Sequence, residues 1–354
     1  MGRAIDTTVD APIARYYLEH YLPGRRLDPA LDRRIADALA RLPEEPGREA
    51  YQELSAALSV DLATMHLIEV LAGNPANART TSLFRRELER IRAMEGARLE
   101  ACVRAFELPR LLFAPGWFYR SNPGTGADFA RQRALFERLG VATHLIPVIE
   151  NGTVEHNATI IADAIRRQDA AGRPAILVSA SKGGPEVAHA LGHVLEPDAT
   201  GMVQAWINVG GLLLGAPLAD WAEAWPQRWL TGLYYWQQGL DPAASVASLT
   251  TARSRARFAQ QTIPAHVLVV NFVGAPLSGD ISPGAEFGYA RTRPAGPNDG
   301  LTALVDELAH GGPAILQVGL DHYYRDPELD LKTLALALTV MLELGRALPA
   351  ACAL

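Results

Sequence analysis

A serine within a short run of small residues offers the clearest chemistry in this 354-residue sequence. Ser181 lies in the pentapeptide Ser-Ala-Ser-Lys-Gly at 179–183, which follows an apolar run and leads directly into a predicted helix. Small residues on either side let a strand and a helix approach closely, so a sharp turn holds the hydroxyl above the sheet edge. The helix N-terminus adds unpaired N–H groups and a positive dipole end. The pattern predicts a nucleophile at Ser181, with an ordinary serine in a glycine-containing turn as the alternative.

A base and an acid that could activate this serine follow later in the chain. A serine nucleophile needs a histidine to take its proton, and the histidine needs a carboxylate to orient it. Of the nine histidines, only His322 directly follows a predicted strand. The loop before that strand contains Asp280, Glu286 and Asp299 as candidate acids. Asp299 stands just before the helix that leads to the histidine-bearing strand, but the residues alone leave Asp280 open as an alternative.

Three short motifs, in this order along the chain, resemble those of a known fold. They are the segment Gly211 to Asp220, the tetrapeptide Asn-Asp-Gly-Leu at 298–301, and the dipeptide Asp-His at 321–322. Residues 108–348 thereby resemble the α/β-hydrolase fold, and more narrowly its bacterial triacylglycerol-lipase-like branch. The resemblance implies that Asp299 is the catalytic acid and His322 the base.

The same resemblance implies an oxyanion hole made by two backbone N–H groups. One belongs to Lys182, the residue after the nucleophile, and the other to Trp117, in the loop after the first strand of the domain. The family usually has His-Gly where this chain has Pro115-Gly116. That change keeps the backbone donor but removes any role of the histidine side chain.

Lysine is rare in this sequence, which makes Lys182 worth separate attention. Of the 33 basic residues only Lys182 and Lys332 are lysines. An ammonium group beside the nucleophile would stabilise an oxyanion or attract an anionic acyl group. Alternatively, the side chain points to solvent and carries no function.

The elements that must position these residues begin near Leu108. Short runs rich in β-branched residues alternate with helical stretches, and the runs are continuous rather than alternating in polarity. Such a pattern predicts a mostly parallel sheet covered by helices on both faces, an α/β fold. The predicted strands are 108–113, 142–149, 175–179, 202–209, 266–273 and 314–318, and the predicted helices are 127–139, 157–171, 183–195, 302–310 and 327–348.

The first hundred residues differ from the rest. Leucine and alanine recur at helical spacing in 29–42, 48–58 and 61–71, and a further helix from Thr81 carries Phe84, Leu88 and Ile91 on one face. We therefore expect an all-α N-terminal extension at 1–105, followed by an α/β-hydrolase domain at 106–354. The N-terminal helices offer a surface for a docking partner or a second copy of the chain.

An insertion at about 210–264 interrupts the strand–helix alternation and is expected to form a helical lid. It contains four of the six tryptophans, Trp221, Trp225, Trp229 and Trp236, with Tyr234 and Tyr235. A spacing of four places Trp221, Trp225 and Trp229 on one helical face. With Phe118, these three side chains are candidates to line an apolar substrate pocket, but packing of the lid onto the sheet domain is the favoured interpretation for most of the rings.

Composition and charge exclude several other classes of function. The 39 acidic residues outnumber the basic ones, giving a net charge of −6 and no basic field for nucleic acid. Two cysteines 250 residues apart build neither a disulfide framework nor a zinc site, consistent with a reducing compartment. The first residues lack the order of a signal peptide, and the apolar stretch at 333–342 is too short to span a membrane. These features predict a cytoplasmic protein.

The expected activity is cleavage of carboxylic esters with an apolar acyl or alcohol part, through a Ser–His–Asp triad and a covalent acyl-enzyme. It requires no metal or organic cofactor. His189 and His193 stand four residues apart on a helix, but no third metal ligand accompanies them. Two alternatives remain: a thioesterase, acyltransferase or peptidase of a biosynthetic pathway, and a catalytically inactive hydrolase-like binding scaffold.

Overall fold

The apolar runs form one parallel sheet. In the computed structural model, which describes residues 7–94, 96–230 and 242–353, the described chain contains six strands, in the spatial order β2-β1-β3-β4-β5-β6. Each neighbouring pair is parallel, so all carboxyl ends meet at one edge. The strands are β1 (Arg110–Ala114), β2 (Thr143–Leu145), β3 (Ala175–Ala180), β4 (Val203–Val209), β5 (Leu268–Ala275) and β6 (Ala314–Val318).

Helices cover both faces of this sheet. The described helices that follow β1 are α7 (Ala130–Arg138), α8 (Val154–Ala170), α9 (Gly183–His189), α10 (Pro217–Glu223), α11 (Ala243–Ser248), α12 (Thr251–Phe258), α13 (Glu286–Thr292) and α14 (Leu329–Glu343). One apolar core lies between the sheet and α7 and α14, and a second lies between the opposite face and α8 and α9. The prediction of a parallel sheet buried on both faces is confirmed.

The N-terminal segment is helical and packs directly on the sheet domain. Its described helices are α1 (Pro12–Tyr16), α2 (Pro29–Leu39), α3 (Arg48–Ala57), α4 (Val60–Gly73), α5 (Pro75–Ala93) and α6 (Gly96–Phe106). The predicted face of Phe84, Leu88 and Ile91 is buried in the same core as the strands, and the ring of Phe84 lies 5.8 Å from that of Phe272 on β5. Helices α5 and α6 therefore share one hydrophobic core with the sheet, whereas the apolar residues of α1–α4 lie in two smaller clusters.

Helix α5 begins six residues earlier than the sequence pattern suggests. Asn74 ends α4, and its side chain also accepts hydrogen bonds from the N–H groups of Ala76 and Asn77. Pro75 stands at the first helical position, where its missing N–H costs nothing. The run Gly73-Asn74-Pro75, which marks the end of one helix, therefore also starts the next.

The two cysteines are bonded, contrary to the expectation from their spacing. Cys102 on α6 and Cys352 near the C-terminus form a disulfide, with Cα atoms 4.7 Å apart. Folding places α6 against the turn Ala350–Cys352, so a separation of 250 residues in sequence becomes a contact in space. The pairing removes the cysteine-based reason for expecting a reducing compartment, since disulfides persist in oxidising environments.

The insertion after β4 is described on both sides of residues 231–241. It contains α10, α11 and α12, and residues of α10 and α11 share an apolar cluster with Leu212 and Val154. Tyr234, Tyr235 and Trp236, predicted to belong to the lid, lie outside the described residues. In the described ranges no helix has both the length and the apolar character needed to cross a bilayer.

Candidate active site

The turn between β3 and α9 holds Ser181 in a strained conformation. Ser181 has φ of 53°, in the left-handed region that residues other than glycine rarely adopt. Gly183 follows because a Cβ there would lie 2.5 Å from the carbonyl oxygen of Ala114 and 2.8 Å from that of Pro115. The glycine thus lets the helix begin directly against the end of β1. A residue held in a strained conformation at a turn between a strand and a helix is typical of functional sites.

Ser179 stands where the small-x-Ser-x-Gly pattern usually has a glycine, and the fold gives its side chain a place. It lies fully buried on β3, and its hydroxyl accepts a hydrogen bond of 2.8 Å from Nε1 of Trp206 on β4. The hydroxyl is therefore satisfied within the sheet core. Ser181, by contrast, projects from the sheet edge.

His322 reaches Ser181 from the loop after β6. Its Nε2 lies 2.8 Å from Oγ of Ser181, a hydrogen-bond distance. The loop is anchored by Tyr324, whose hydroxyl donates to the carbonyl of Phe272 and accepts from the N–H of Gly274, both on β5. The phenol is buried, and burial raises its pKa well above the usual value.

Asp299 contacts the other nitrogen of the same imidazole. Its Oδ2 is hydrogen-bonded to Nδ1 of His322, and its carbonyl accepts the N–H of His322 at 2.8 Å. Its Oδ1 accepts the N–H groups of Leu301 and Thr302, each at 2.9 Å. The predicted helix at 302–310 is observed as a 3₁₀ turn, Leu304–Leu308.

The alternative acid lies elsewhere. Oδ2 of Asp280 accepts the N–H of Leu277 at 2.9 Å, in a tight turn directly after β5. The loop beyond that turn continues through α13 before it reaches Asp299 at the histidine. Of the two acids left open by the sequence, the structure brings Asp299 to His322.

Two backbone N–H groups border the serine. Lys182 follows Ser181 at the start of α9, and Trp117 lies one residue beyond Gly116, where a Cβ would lie 3.5 Å from Cβ of Ser181. Neither N–H donates a hydrogen bond to any residue that the structure describes. The indole Nε1 of Trp117 donates to Oδ1 of Asn151 at 3.2 Å, and the ring stacks on Phe118.

A large apolar cavity opens above Ser181 and His322. Its volume is about 1130 Å³, slightly above the range that small-molecule sites usually enclose. It extends from the loop after β1 to the insertion and down to α14. Apolar side chains that line it include Trp117, Phe118, Phe129, Leu218, Trp221 and Val246.

Solved structures of several hydrolases share this arrangement of elements. A metagenomic carboxyl esterase superposes with a TM-score of 0.52 at 22% identity, over 67% of this chain and 76% of that one. The mature lipase of Bacillus licheniformis superposes with a TM-score of 0.52 at 23% identity, over 65% of this chain and 92% of that one. The lipase of Staphylococcus hyicus superposes with a TM-score of 0.52 at 10% identity, over 67% of this chain and 96% of that one. No protein-family profile and no curated protein sequence matches. At such identities the likeness shows the fold alone. The chain has the α/β-hydrolase fold.

In this α/β-hydrolase body the side chain of Lys182 turns away from the cavity. Its ammonium forms an ion pair with Oε1 of Glu186, one helical turn along α9. The two side chains are 3% and 0% exposed. The expected roles for the ammonium, contact with the oxyanion or with an anionic acyl group, do not fit this placement.

The predicted tryptophan stripe is broken by a proline. Trp221 on α10 lines the cavity, but α10 ends at Glu223, and Pro226 separates Trp225 from the helical residues 227–230 that contain Trp229. Trp225 and Trp229 are 81% and 75% exposed. Of the three expected pocket tryptophans, only Trp221 lines the described cavity.

The pair His189 and His193 stacks with ring centroids 4.7 Å apart. Burial lowers the pKa of His189 to about 4, with a further contribution from His193. Among the residues that the structure describes, no group of three or more His, Cys, Asp or Glu side chains could hold a metal ion.

Sequence reasoning missed two polar residues behind the site. Asn157, on the first turn of α8, donates to Oε1 of Glu186 at 2.7 Å. Glu307 is fully buried near Asp299, and its pKa is raised well above the usual value by burial and by the charge of Asp299. Neither lies near the serine motif in sequence, so only the folded chain reveals them.

Proposed function

We propose that the protein is a serine hydrolase of carboxylic esters with an apolar acyl or alcohol part, similar to esterases and lipases. One observation carries the proposal: Ser181, His322 and Asp299 form a continuous hydrogen-bonded series at the base of an apolar cavity. The fold neighbours, a carboxyl esterase and two lipases, support the same class. A binding scaffold predicts that these three side chains stay apart, so their convergence favours an enzyme.

In the proposed mechanism, His322 Nε2 takes the proton of Ser181 as Oγ attacks the ester carbonyl. The carboxylate of Asp299 accepts a hydrogen bond from Nδ1–H of His322 and stabilises the imidazolium that forms. The N–H groups of Lys182 and Trp117 bind the oxyanion of the tetrahedral intermediate. His322 then gives its proton to the leaving alcohol, and a water activated by the same imidazole cleaves the acyl-enzyme.

The decisive experiment replaces the serine. Ser181→Ala is expected to lower hydrolysis of p-nitrophenyl butyrate by about 1,000-fold or more and to abolish labelling by a fluorophosphonate probe. Ser121→Ala, at an exposed position outside the triad, is the matched control and keeps both. Full activity of Ser181→Ala, or no labelling of the intact protein, would overturn the proposal.

A substrate panel then separates esters from the neighbouring reaction types. The apolar lining of the cavity favours an ester with an extended or aromatic apolar part. Esters, acyl thioesters and amides of the same acyl group are compared by kcat/KM. Faster turnover of the thioester or amide would assign the chain to the thioesterase, acyltransferase or peptidase alternative.

A further inference from the structure

A buried polar network lies directly behind the nucleophile turn. Glu186 Oε1 accepts from the ammonium of Lys182 and from Nδ2 of Asn157, the latter at 2.7 Å. Burial raises the pKa of Glu186, and the charge of Lys182 opposes that effect. Because desolvation offsets much of the attraction within a buried ion pair, the pair is weak as a source of stability. The ion pair therefore contributes mainly by fixing the positions of the groups that it connects.

Asn157 extends the network to the loop after β2. The same Nδ2 donates to the carbonyl of Ile149 at 2.8 Å, and Oδ1 accepts the N–H of Ile149 at 3.0 Å. Asn157 therefore uses donors and an acceptor together to fix one turn of backbone against α8. The side chain is fully buried, which strengthens the directional preference of each bond.

The turn at residues 148–151, which Asn157 fixes, supports the loop after β1. Oδ1 of Asn151 accepts the indole N–H of Trp117 at 3.2 Å, and the carbonyl of Val148 accepts the hydroxyl of Tyr119 at 2.8 Å. Oε1 of Glu150 accepts two backbone N–H groups of the same loop, at 2.8 and 2.9 Å. Residues 148–151 thus hold the loop through four hydrogen bonds.

These hydrogen bonds connect the residues of the two proposed oxyanion donors, Lys182 and Trp117, on the side away from the cavity. The series runs from Lys182 through Glu186 and Asn157 to the turn at 148–151, and from there to Trp117. We propose that Asn157 and Glu186 are positioning residues that set the separation of the Lys182 and Trp117 N–H groups. The inference rests on the proposed function, because it assumes that those N–H groups bind the oxyanion.

Substitution of Asn157 tests this role through the transition state. Asn157→Leu keeps the approximate size of the side chain and removes all three hydrogen bonds. Since the oxyanion exists only after attack, kcat is expected to fall 10- to 100-fold with KM within twofold. The affinity for a trifluoromethyl ketone of the same acyl chain, whose adduct carries an oxyanion, is expected to fall in parallel.

Asn77 provides a matched control. It is a buried asparagine that donates to the carbonyl of Leu71 at 2.9 Å and accepts the N–H of Ala314 at 2.7 Å, outside the active site. Asn77→Leu is expected to lower Tm comparably and to leave kcat within twofold. Equal losses of kcat in both variants, or an unchanged kcat in Asn157→Leu, would overturn the inference.

A second variant keeps the test open if Asn157→Leu does not fold. Glu186→Gln retains the shape of the acceptor and removes the charge that holds Lys182, so kcat is expected to fall at least fivefold at constant KM. An unchanged kcat in Glu186→Gln would overturn the inference. Fluorophosphonate labelling of Ser181 in the wild type is scored separately, so a failed triad is distinguished from a failed network.

Discussion

The buried carboxyl of Glu307 makes a quantitative prediction about stability and pH. Its side chain is fully buried, and neither oxygen has a hydrogen-bond partner among the described residues. Burial, followed by the negative charges of Asp299 and Asp306, raises its pKa well above the usual value. In the unfolded chain a glutamate titrates near pH ~4.3. Between these two pKa values Glu307 is neutral when folded and ionised when unfolded.

The sign of the effect follows from proton release. Unfolding in this pH window releases one proton, so the contribution of Glu307 to the free energy of unfolding falls as pH rises. The fall is about 1.4 kcal/mol for each pH unit in which the folded carboxyl stays neutral. Glu307→Gln has nearly the same shape and does not titrate. As pH rises from ~5.5, the variant is therefore expected to gain stability relative to wild type at about this rate, for as long as the folded carboxyl stays neutral.

Urea unfolding followed by tryptophan fluorescence at several pH values measures this difference. Glu53→Gln removes a carboxyl from an exposed position and serves as the control. A constant difference between Glu307→Gln and wild type over the same range would refute the reasoning, because it would mean that Glu307 is ionised in the folded protein.

Three further predictions follow from the lid, the disulfide and the nucleophile turn. Trp221→Ala is expected to raise KM for an aryl ester severalfold, while Trp225→Ala, at an exposed position, leaves KM unchanged; equal effects in a kinetic comparison would contradict the placement of the lid. Replacing Cys102 and Cys352 by serine is expected to cost about 2–5 kcal/mol in urea unfolding without loss of fluorophosphonate labelling, and an unchanged midpoint would argue against the bond. Gly183→Ala is expected to abolish labelling or folding, because its Cβ would lie 2.5 Å from a carbonyl oxygen; normal labelling of a stable variant would contradict that clash.

Local sequence determined the elements and the nucleophile turn. Continuous apolar runs such as Ile176 to Val178 are typical of strands buried on both faces, and the structure places them in a parallel sheet. The positions of Ser181 and His322 followed from the same alternation of strands and helices, because a residue directly after a parallel strand lies at the carboxyl edge of the sheet. Strand direction and local turn residues are properties of short segments, so the sequence carries them.

Two expectations from the sequence were wrong. One concerned a contact between segments that are distant in sequence, and the other concerned a helix that ends earlier than its periodicity suggests. The pairing of Cys102 with Cys352 depends on how a helix and the C-terminal turn pack, which spacing in the sequence does not encode. The tryptophan stripe assumed one continuous helix, but α10 ends before Pro226. Periodicity indicates which side chains share a face only within an unbroken helix.

The sequence by itself determined that the chain builds a parallel α/β sheet with a serine at a strand–helix turn, because those features depend on neighbouring residues. The family resemblance favoured Asp299 over Asp280, and the tertiary structure brings Asp299 to His322, because packing sets the path of the long loop that contains both acids. Only the tertiary structure decided that Lys182 faces inward to Glu186, which also accepts a hydrogen bond from Asn157. A buried polar side chain takes the partners that the packed elements bring to it, and those partners are distant in sequence.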